Sequence, residues 1–344
     1  MNYPERIASV TELESLLSVP TEGLIEMMKR IDGDIMILGI AGKMGVTMGR
    51  QAVNAIRAAG VSKKVIGVSR FSGKEEREKL EDWGIETIAC DLLDQDAVKS
   101  LPQVKNIVFM AGRKFGTEGS EAQTWAMNIL APSYIGAHFR GSRIVAFSTG
   151  CVYPLVGITS CGCTEEVTPE PVGEYSQSCL GRERIFQYYS QKYGAKVLLF
   201  RLNYAIDLRY GVLHDIARNI WEGRPVDNTV GYFNVIWQGD ANSNALRSFE
   251  LCDSPAAVLN VTGPETASVE KTALQLGALM GKEVVFKGVP GNLCYLNNSA
   301  QMCRRFGYPN VSLEQMIRWQ ADWIRNGGIS IGKPTHFEVN NGKF

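Results

Sequence analysis

The stretch Ile35-Met36-Ile37-Leu38-Gly39-Ile40-Ala41-Gly42-Lys43-Met44-Gly45 decides the fold. Four apolar residues of strand length run into three glycines spaced G-x-x-G-x-x-G, and a helix over about 44–59 follows. Glycine is needed there for three reasons: the turn is tight, the backbone must come close to a pyrophosphate, and the helix must pack close to the strand. The start of the helix turns free N–H groups and the positive end of its dipole toward the phosphates. Gly39, Gly42 and Gly45, with Lys43 and Met44 between them, are therefore expected to form a dinucleotide-binding loop.

Outward from this loop the pattern alternates. Apolar runs of strand length fall at 35–38, 65–68, 85–89, 107–110, 144–147 and 197–200. They are nearly continuous rather than alternating, as strands covered on both faces should be. Helical segments lie between them, at about 44–59, 74–82, 94–100, 121–139 and 175–193. Strand and helix repeated in this way predict an α/β fold with a doubly wound parallel sheet and right-handed crossovers. After Asn203 the rhythm loosens into helices near 212–222, 240–251, 268–280, 298–305 and 312–327 and short strands near 258–261 and 283–286. We read four parts: an accessory helical extension over 1–33, a dinucleotide-binding domain over 34–204, a smaller α+β substrate-binding part over 205–330, and an exposed tail over 331–344.

Composition narrows the function. At roughly 150 residues per domain, 344 residues allow two domains or one large α/β unit. Lys+Arg and Asp+Glu are both 36, so the chain has no electrostatic footprint for nucleic acid or an anionic membrane. No apolar run is long enough to span a bilayer, and the first twenty residues lack the apolar core of a signal peptide. The eight cysteines are then read as reduced thiols of a cytoplasmic protein. Cys161-Gly-Cys163 is too sparse for structural zinc, which uses paired ligands or added histidines, so no metal is expected.

The second predicted strand ends in Val68-Ser69-Arg70. An acid at this place suits the ribose hydroxyls of NAD, whereas an arginine suits a 2′-phosphate. Ser69 and Arg70 therefore point to NADP, with NAD as the alternative, and Lys43 is placed to reach a phosphate.

Several further segments, in order, make the chain resemble the extended short-chain dehydrogenase/reductase family, the group that holds sugar-nucleotide epimerases and dehydratases. The resemblance covers about residues 34–327. Cys90-Asp91-Leu92-Leu93-Asp94 resembles the segment after the third strand of a Rossmann-type sheet, where Asp91 would hold the adenine amino group. Met110-Ala111-Gly112 resembles the end of the fourth strand, which lines the cofactor. Asn128, in Met-Asn-Ile-Leu-Ala, matches the family's helix asparagine, expected to support a proton-relay water. Phe147-Ser148-Thr149-Gly150-Cys151-Val152-Tyr153 places the catalytic hydroxyl at Thr149, and Tyr175 stands where the family has its catalytic tyrosine. Asn203, two residues after Arg201 in a segment that resembles the family's R-x-x-N, would lie near the nicotinamide. The resemblance also implies a homodimer.

One position departs from the pattern. The family's tyrosine is followed four residues later by lysine, and here that residue is Cys179. The lysine brings the tyrosine pKa down from about 10 and bonds the nicotinamide ribose; lowering a pKa by one takes about 1.36 kcal/mol of preference for the charged form. Cys179 supplies neither, so the proton chemistry assigned to Tyr175 needs another cation. Arg182, seven residues after Tyr175 and three after Cys179, shares their helical face. Arg113 and Lys114, after the fourth strand, are expected at the substrate, as is Arg209 in the region that should roof the pocket. His214 reads as a surface residue at a helix start, and Trp319 and Trp323 as core residues at helical spacing.

These readings converge on an NAD(P)-dependent enzyme moving a hydride at a hydroxyl-bearing carbon of a sugar, sugar nucleotide or sugar acid. Tyr175 would exchange the hydroxyl proton and Thr149 would orient the same oxygen. The alternative is a non-catalytic dinucleotide-binding regulatory protein, favoured by loss of the lysine and opposed by retention of Thr149, Tyr175 and Asn128.

Overall fold

The computed structural model describes residues 3–114, 117–339 and 342. Seven strands form one all-parallel sheet: β1 (Ile35–Leu38), β2 (Val65–Ser69), β3 (Glu86–Ala89), β4 (Asn106–Phe109), β5 (Arg143–Thr149), β6 (Lys196–Leu202) and β7 (Ala257–Val261). Their spatial order is β7-β6-β5-β4-β1-β2-β3. The order reverses at β1, whose Ile35 faces Val65 of β2 on one side and Asn106 of β4 on the other. In an open parallel sheet that reversal opens a crevice at the carboxyl ends of the strands.

Helices cover both faces, which is why β1 and β4 are buried along their whole length. One face is packed by the helices Glu22–Arg30, Gly45–Ala59 and Gln238–Arg247, through Leu24, Met28, Met48, Ala52, Ala241 and Ala245. The other is packed by Ala131–His138 and Gly173–Tyr193, through Ile135 and Phe186, with Phe109 and Phe186 edge-on at 5.4 Å. A second apolar cluster joins the helices Val212–Trp221, Val269–Met280 and Leu313–Arg325. There Trp319 and Trp323 are buried, as their spacing predicts.

Three boundaries differ from the sequence reading. The segment near 258–261, assigned to the smaller part, is β7 and extends the main sheet beside β6, with Leu259 opposite Phe200. The chain therefore returns to the first unit after 204, and the dinucleotide-binding sheet is discontinuous in sequence. The N-terminal helices Val10–Leu17 and Glu22–Arg30 are integral rather than accessory: Leu13 and Leu17 are buried in the second cluster, and Leu24, Met27 and Met28 in the first. Glu14 ties this segment to both halves, accepting from Lys79 at 2.6 Å and from Arg209 at 3.2 Å. The stretch from 331 to 339 is not an exposed tail either; Thr335 and Phe337 are buried.

Burial of Met27 makes the first helices part of the folding unit. Met27→Ala is expected to destabilise the protein by about 2–5 kcal/mol, read as a lower urea midpoint. An appendage would leave the midpoint unchanged.

Candidate active site

The loop after β1 is built by its glycines. Gly39 has φ +94°, and a Cβ on it would meet the Ala111 backbone nitrogen at 2.8 Å, so this corner of the loop touches the end of β4. A Cβ on Gly45 would meet the Ile40 carbonyl oxygen at 2.3 Å, so the helix Gly45–Ala59 can start against the strand only with glycine there. Gly42 is exposed, with only the Gly39 carbonyl oxygen near its missing Cβ. The helix begins without a side-chain cap. Its first N–H groups are thus presented behind an open glycine, the arrangement a pyrophosphate needs.

Other expected cofactor residues stand at neighbouring strand ends. Ser69 ends β2 and exposed Arg70 follows it; exposed Asp91 follows β3, its Oδ1 accepting from Leu93 N at 3.0 Å. Ala111 and Gly112 follow β4. Leu92 is a correction: its side chain is in the core with Val98 and Leu101.

A cavity of about 410 Å³ runs from this loop along the ends of β4, β5 and β6. Gly39, Gly42, Lys43, Met44, Gly112, Arg113, Lys114, Thr149, Tyr175 and Asn203 all line it. The glycine loop and the proposed hydroxyl pair thus share one space, which fits a dinucleotide laid from Gly42 toward Thr149 and Tyr175. Thr149 ends β5 and caps the short turn Gly150–Val152, its Oγ1 accepting from Cys151 N at 3.2 Å. Tyr175 lies in the first turn of the helix Gly173–Tyr193.

Four expected residues are placed differently. Cys179 is fully buried and does not line the cavity; it packs with Tyr175 in an apolar cluster that includes Val152 and Tyr153. Asn128 is likewise fully buried, in a π-helical turn over Ala126–Leu130. Its Oδ1 accepts from Arg113 N at 3.2 Å and from the Arg182 guanidinium; its Nδ2 donates to Ser178 Oγ at 2.8 Å and to the Arg113 carbonyl oxygen at 3.3 Å. Those bonds occupy its amide, so it positions neighbours rather than holding a relay water. Arg209 is spent on an ion pair with Asp207, at 2.6 Å, and on Glu14. His214 is buried, with Nδ1 donating to the Leu208 carbonyl at 2.9 Å and Nε2 accepting from Ser330 Oγ at 2.9 Å.

Arg182 does reach the site. It donates to the Phe147 carbonyl oxygen at 2.7 Å and to Asn128, and lines the cavity at Gly112, where a Cβ would meet its guanidinium at 2.5 Å. Its charge lowers the pKa of both Tyr175 and Cys179. Burial outweighs it, and the Tyr175 hydroxyl is held well above its ordinary pKa, so it stays protonated. Burial also lowers Lys114, and brings Lys43 down to about 7 with help from Lys114 and Lys333.

Beneath the site lies a buried ion pair. Arg201 Nε and Nη2 donate to the two oxygens of Glu183 at 2.9 and 2.6 Å, and Ser148 Oγ donates to Glu183 Oε1 at 2.6 Å. Arg201 also donates to Tyr153 Oη at 2.6 Å, and that hydroxyl donates to Asn260 Oδ1 at 2.9 Å. Among the described residues, no group of three His, Cys, Asp or Glu side chains is placed to hold a metal ion, and no helix is long and apolar enough to cross a membrane. Tyr204, beside Asn203, and Tyr210, beside Arg209, line the cavity as well, and the sequence reading did not single out Lys333 and Thr335, which also line it. Tyr210 was legible as part of the expected roof; the last two carried no periodic signal.

With fold and cavity in view, the comparisons identify the class. Residues 35–225 match the NAD dependent epimerase/dehydratase family, and the chain belongs to it. It is therefore an enzyme of extended short-chain dehydrogenase/reductase type. Among solved structures it is similar to dTDP-glucose 4,6-dehydratase from Bacillus anthracis in complex with NAD (TM-score 0.70, 18% identity, 86% of this chain and 97% of that one). It is also similar to a UDP-glucuronic acid 4-epimerase mutant from Bacillus cereus (TM-score 0.69, 16% identity, 85% and 99%) and to Thermus thermophilus UDP-glucose 4-epimerase (TM-score 0.69, 18% identity, 86% and 99%). No curated protein sequence matches the chain.

The electrostatics of the site can be tested at two positions. Cys179→Lys places an ammonium beside Tyr175, so the phenol pKa falls. The phenolate absorbance that Tyr175→Phe removes should then appear at least about one pH unit lower, equivalent to about 1.36 kcal/mol. An unmoved titration would show that position 179 does not set the tyrosine's pKa. Glu183→Gln leaves Arg201 buried without its carboxylate, and chemical denaturation should show a loss of about 3–5 kcal/mol.

Proposed function

We propose that the chain transfers a hydride at a hydroxyl-bearing carbon of a sugar, sugar nucleotide or sugar acid, as an NAD(P)-dependent oxidoreductase or epimerase. The observation that carries this reading is the shared cavity, in which Thr149 and Tyr175 lie together with the glycine loop. Sugar-nucleotide enzymes among the structural neighbours support the substrate class.

The dinucleotide, when bound, takes up or returns the hydride. The chain's own residues handle the proton and the geometry. Thr149 Oγ1 hydrogen-bonds the reacting oxygen and fixes which carbon faces the nicotinamide. Tyr175 gives a proton to that oxygen as a carbonyl is reduced, or removes one as an alcohol is oxidised. A tyrosine held protonated is matched to the first direction at neutral pH. In the second it must lose its proton first, so alcohol oxidation should rise with pH across the alkaline range.

We further infer NADP as the preferred form, from Ser69 and exposed Arg70 at the end of β2. A homodimer is supported by the exposed Trp125, Leu130, Tyr188 and Tyr193 of two neighbouring helical stretches, and a cytoplasmic location by the eight cysteines. Titration of the purified protein with NADPH and NADH, followed by cofactor fluorescence, tests the cofactor. NADPH is expected to bind at least about tenfold more tightly, and Arg70→Ala to remove most of that preference, the worth of one charge-assisted hydrogen bond. Tighter NADH binding would overturn the NADP preference, and binding of neither would overturn the enzymatic reading of the site.

A further inference from the structure

Apart from the catalytic cavity, and sharing no lining residue with it, a second cavity of about 350 Å³ is formed by the helices Glu22–Arg30 and Gln238–Arg247 and the segment 306–310. Asp240, Asn244 and Arg247 line it from one helix, at spacings of four and three that put them on a single face. Gly23, in the first turn of the helix Glu22–Arg30, lines it as well, and so does Tyr308, which is 76% exposed.

Three groups in this cavity lack a partner. The first is Arg247, which is half-buried and forms no ion pair among the described residues. Its Nη1 donates to the Phe306 carbonyl oxygen at 3.0 Å, and its guanidinium lies 4.5 Å from the centre of the Phe306 ring, contacts that leave its charge uncompensated. Glu250, the acid that acts on it, is taken by Arg30 through bonds of 2.8 and 2.9 Å. Burial holds the Arg247 guanidinium below its ordinary pKa, and Arg30 adds to this.

The second is the start of the helix Glu22–Arg30. A Cβ on Gly23 would meet Arg247 Cζ and Nη2 at 2.7 Å, so the guanidinium is set against the first turn. Leu24 N and Ile25 N close onto the Thr21 carbonyl oxygen, and Thr21 Oγ1 also caps Leu24, which leaves the Glu22 and Gly23 N–H groups without an acceptor. A cation at the positive end of a helix is repelled, and an anion beside both turns the repulsion into attraction. The third is Asn244. It is 6% exposed, yet its side-chain amide has no hydrogen-bond partner among the described residues, while its backbone carbonyl serves Ser248. A buried amide with nothing to bond is unfavourable.

Two carboxylates also line the cavity. Asp240 has both oxygens occupied, by Asn310 Nδ2 at 2.8 Å and Val311 N at 3.1 Å, and lies two helical turns from Arg247, roughly 10 Å along the axis. Glu22 is exposed and pairs with no cation of the cavity. The unused donors are thus gathered at the Arg247 end.

We propose that Arg247, the first-turn N–H groups at Gly23 and the Asn244 amide form a second binding site, for the oxyanion group of a small ligand, a phosphate or a carboxylate. Its oxygens accept from the three sets of donors that the chain leaves unused. Gln238, at the start of the helix that carries Asn244 and Arg247, lines the catalytic cavity, so the ligand rests on an element that reaches the reaction site. The site does not depend on the hydride-transfer reading.

The test is calorimetric titration of the full chain with inorganic phosphate and with acetate, in the presence and absence of NADPH. At least one probe should bind with NADPH present, and Arg247→Gln should weaken that binding about tenfold or more, the worth of a charge-assisted hydrogen bond. Asn244→Leu keeps the size of the side chain and removes its amide. It should weaken binding too, while the melting temperature holds or rises, because the unliganded chain loses a buried group that had no partner. A merely structural asparagine gives the reverse, a lower melting temperature with binding intact, and that result overturns the proposal. So does the absence of saturable binding by either probe, binding that survives in Arg247→Gln, or binding that NADPH abolishes, which belongs to the glycine loop. Tighter phosphate assigns a phosphate-bearing ligand and tighter acetate a carboxylate; both support the proposal. If Arg247→Gln does not fold, Asn244→Leu decides alone.

Discussion

The buried pair of Glu183 and Arg201 is the constraint on which the site depends. Two charges removed from water are unfavourable unless every donor and acceptor is met. Here Ser148, Tyr153 and Asn260 complete the set, and each comes from a different piece of chain. Glu183 is on the helix that carries Tyr175, Arg201 on β6, Ser148 on β5 immediately before Thr149, and Asn260 on β7. The satisfied network therefore fixes the helix against three strand ends at once. Sliding the helix by one turn would leave a carboxylate and a guanidinium buried without partners. The relative position of Thr149 and Tyr175 follows from that penalty more than from any contact between them.

The same helix shows how far the departure at Cys179 reaches. A lysine there would send its ammonium into the cavity from behind Tyr175; the thiol instead closes the space as a small apolar group. The positive charge is moved one turn along, to Arg182, and forward to Lys114. Neither equals a lysine at 179. Arg182 is held by Asn128 and Phe147, so its charge acts on Tyr175 from a fixed distance and loses to desolvation. A protonated tyrosine remains competent as an acid. On the hydride-transfer reading proposed above, the replacement would favour the direction in which Tyr175 gives a proton.

Five of the six strand segments from 35 to 200 were legible because strands covered on both faces read as unbroken apolar runs, β3 being the partly exposed edge strand, and the helices between them keep their period. β7 was legible as a strand but not as part of the sheet. It follows a long excursion, and strand order is set by packing against β6 rather than by local sequence. The first two helices were legible as helices, and Thr21 caps Leu24 N in the second. Their burial was not, since it depends on Met27 and Met28 meeting a surface made by distant residues. In the site, Gly39 and Gly45 were readable because backbone geometry demands glycine there, and Thr149 and Tyr175 through the resemblance to the family's motifs. Asn128 and Arg209 were readable as polar residues near the site, but their hydrogen bonds, which decide their roles, depend on tertiary register.

The cavity has two walls of different origin. One comes from the loop after β1 and the ends of β4, β5 and β6, within the matched region 35–225. The other includes Gln238, Lys333 and Thr335, which lie outside it. Cofactor binding makes the same demands in every member of a dinucleotide-binding class, so it is concentrated in the first wall. Substrate recognition has no such common demand and falls to segments that can differ freely in length and charge. The irregular segment 329–339 belongs to the second wall and is held at both ends: Trp323, His214 and Arg209 fasten one end and Asp215 and Phe233 the other, while Lys333 between them lines the cavity. The N-terminal helix supports the first anchor, because Glu14 pairs with Arg209, whose carbonyl holds Ile331. The first helix and the segment 329–339 therefore both bear on the wall of the cavity that lies outside 35–225, and these elements were the least legible in the sequence.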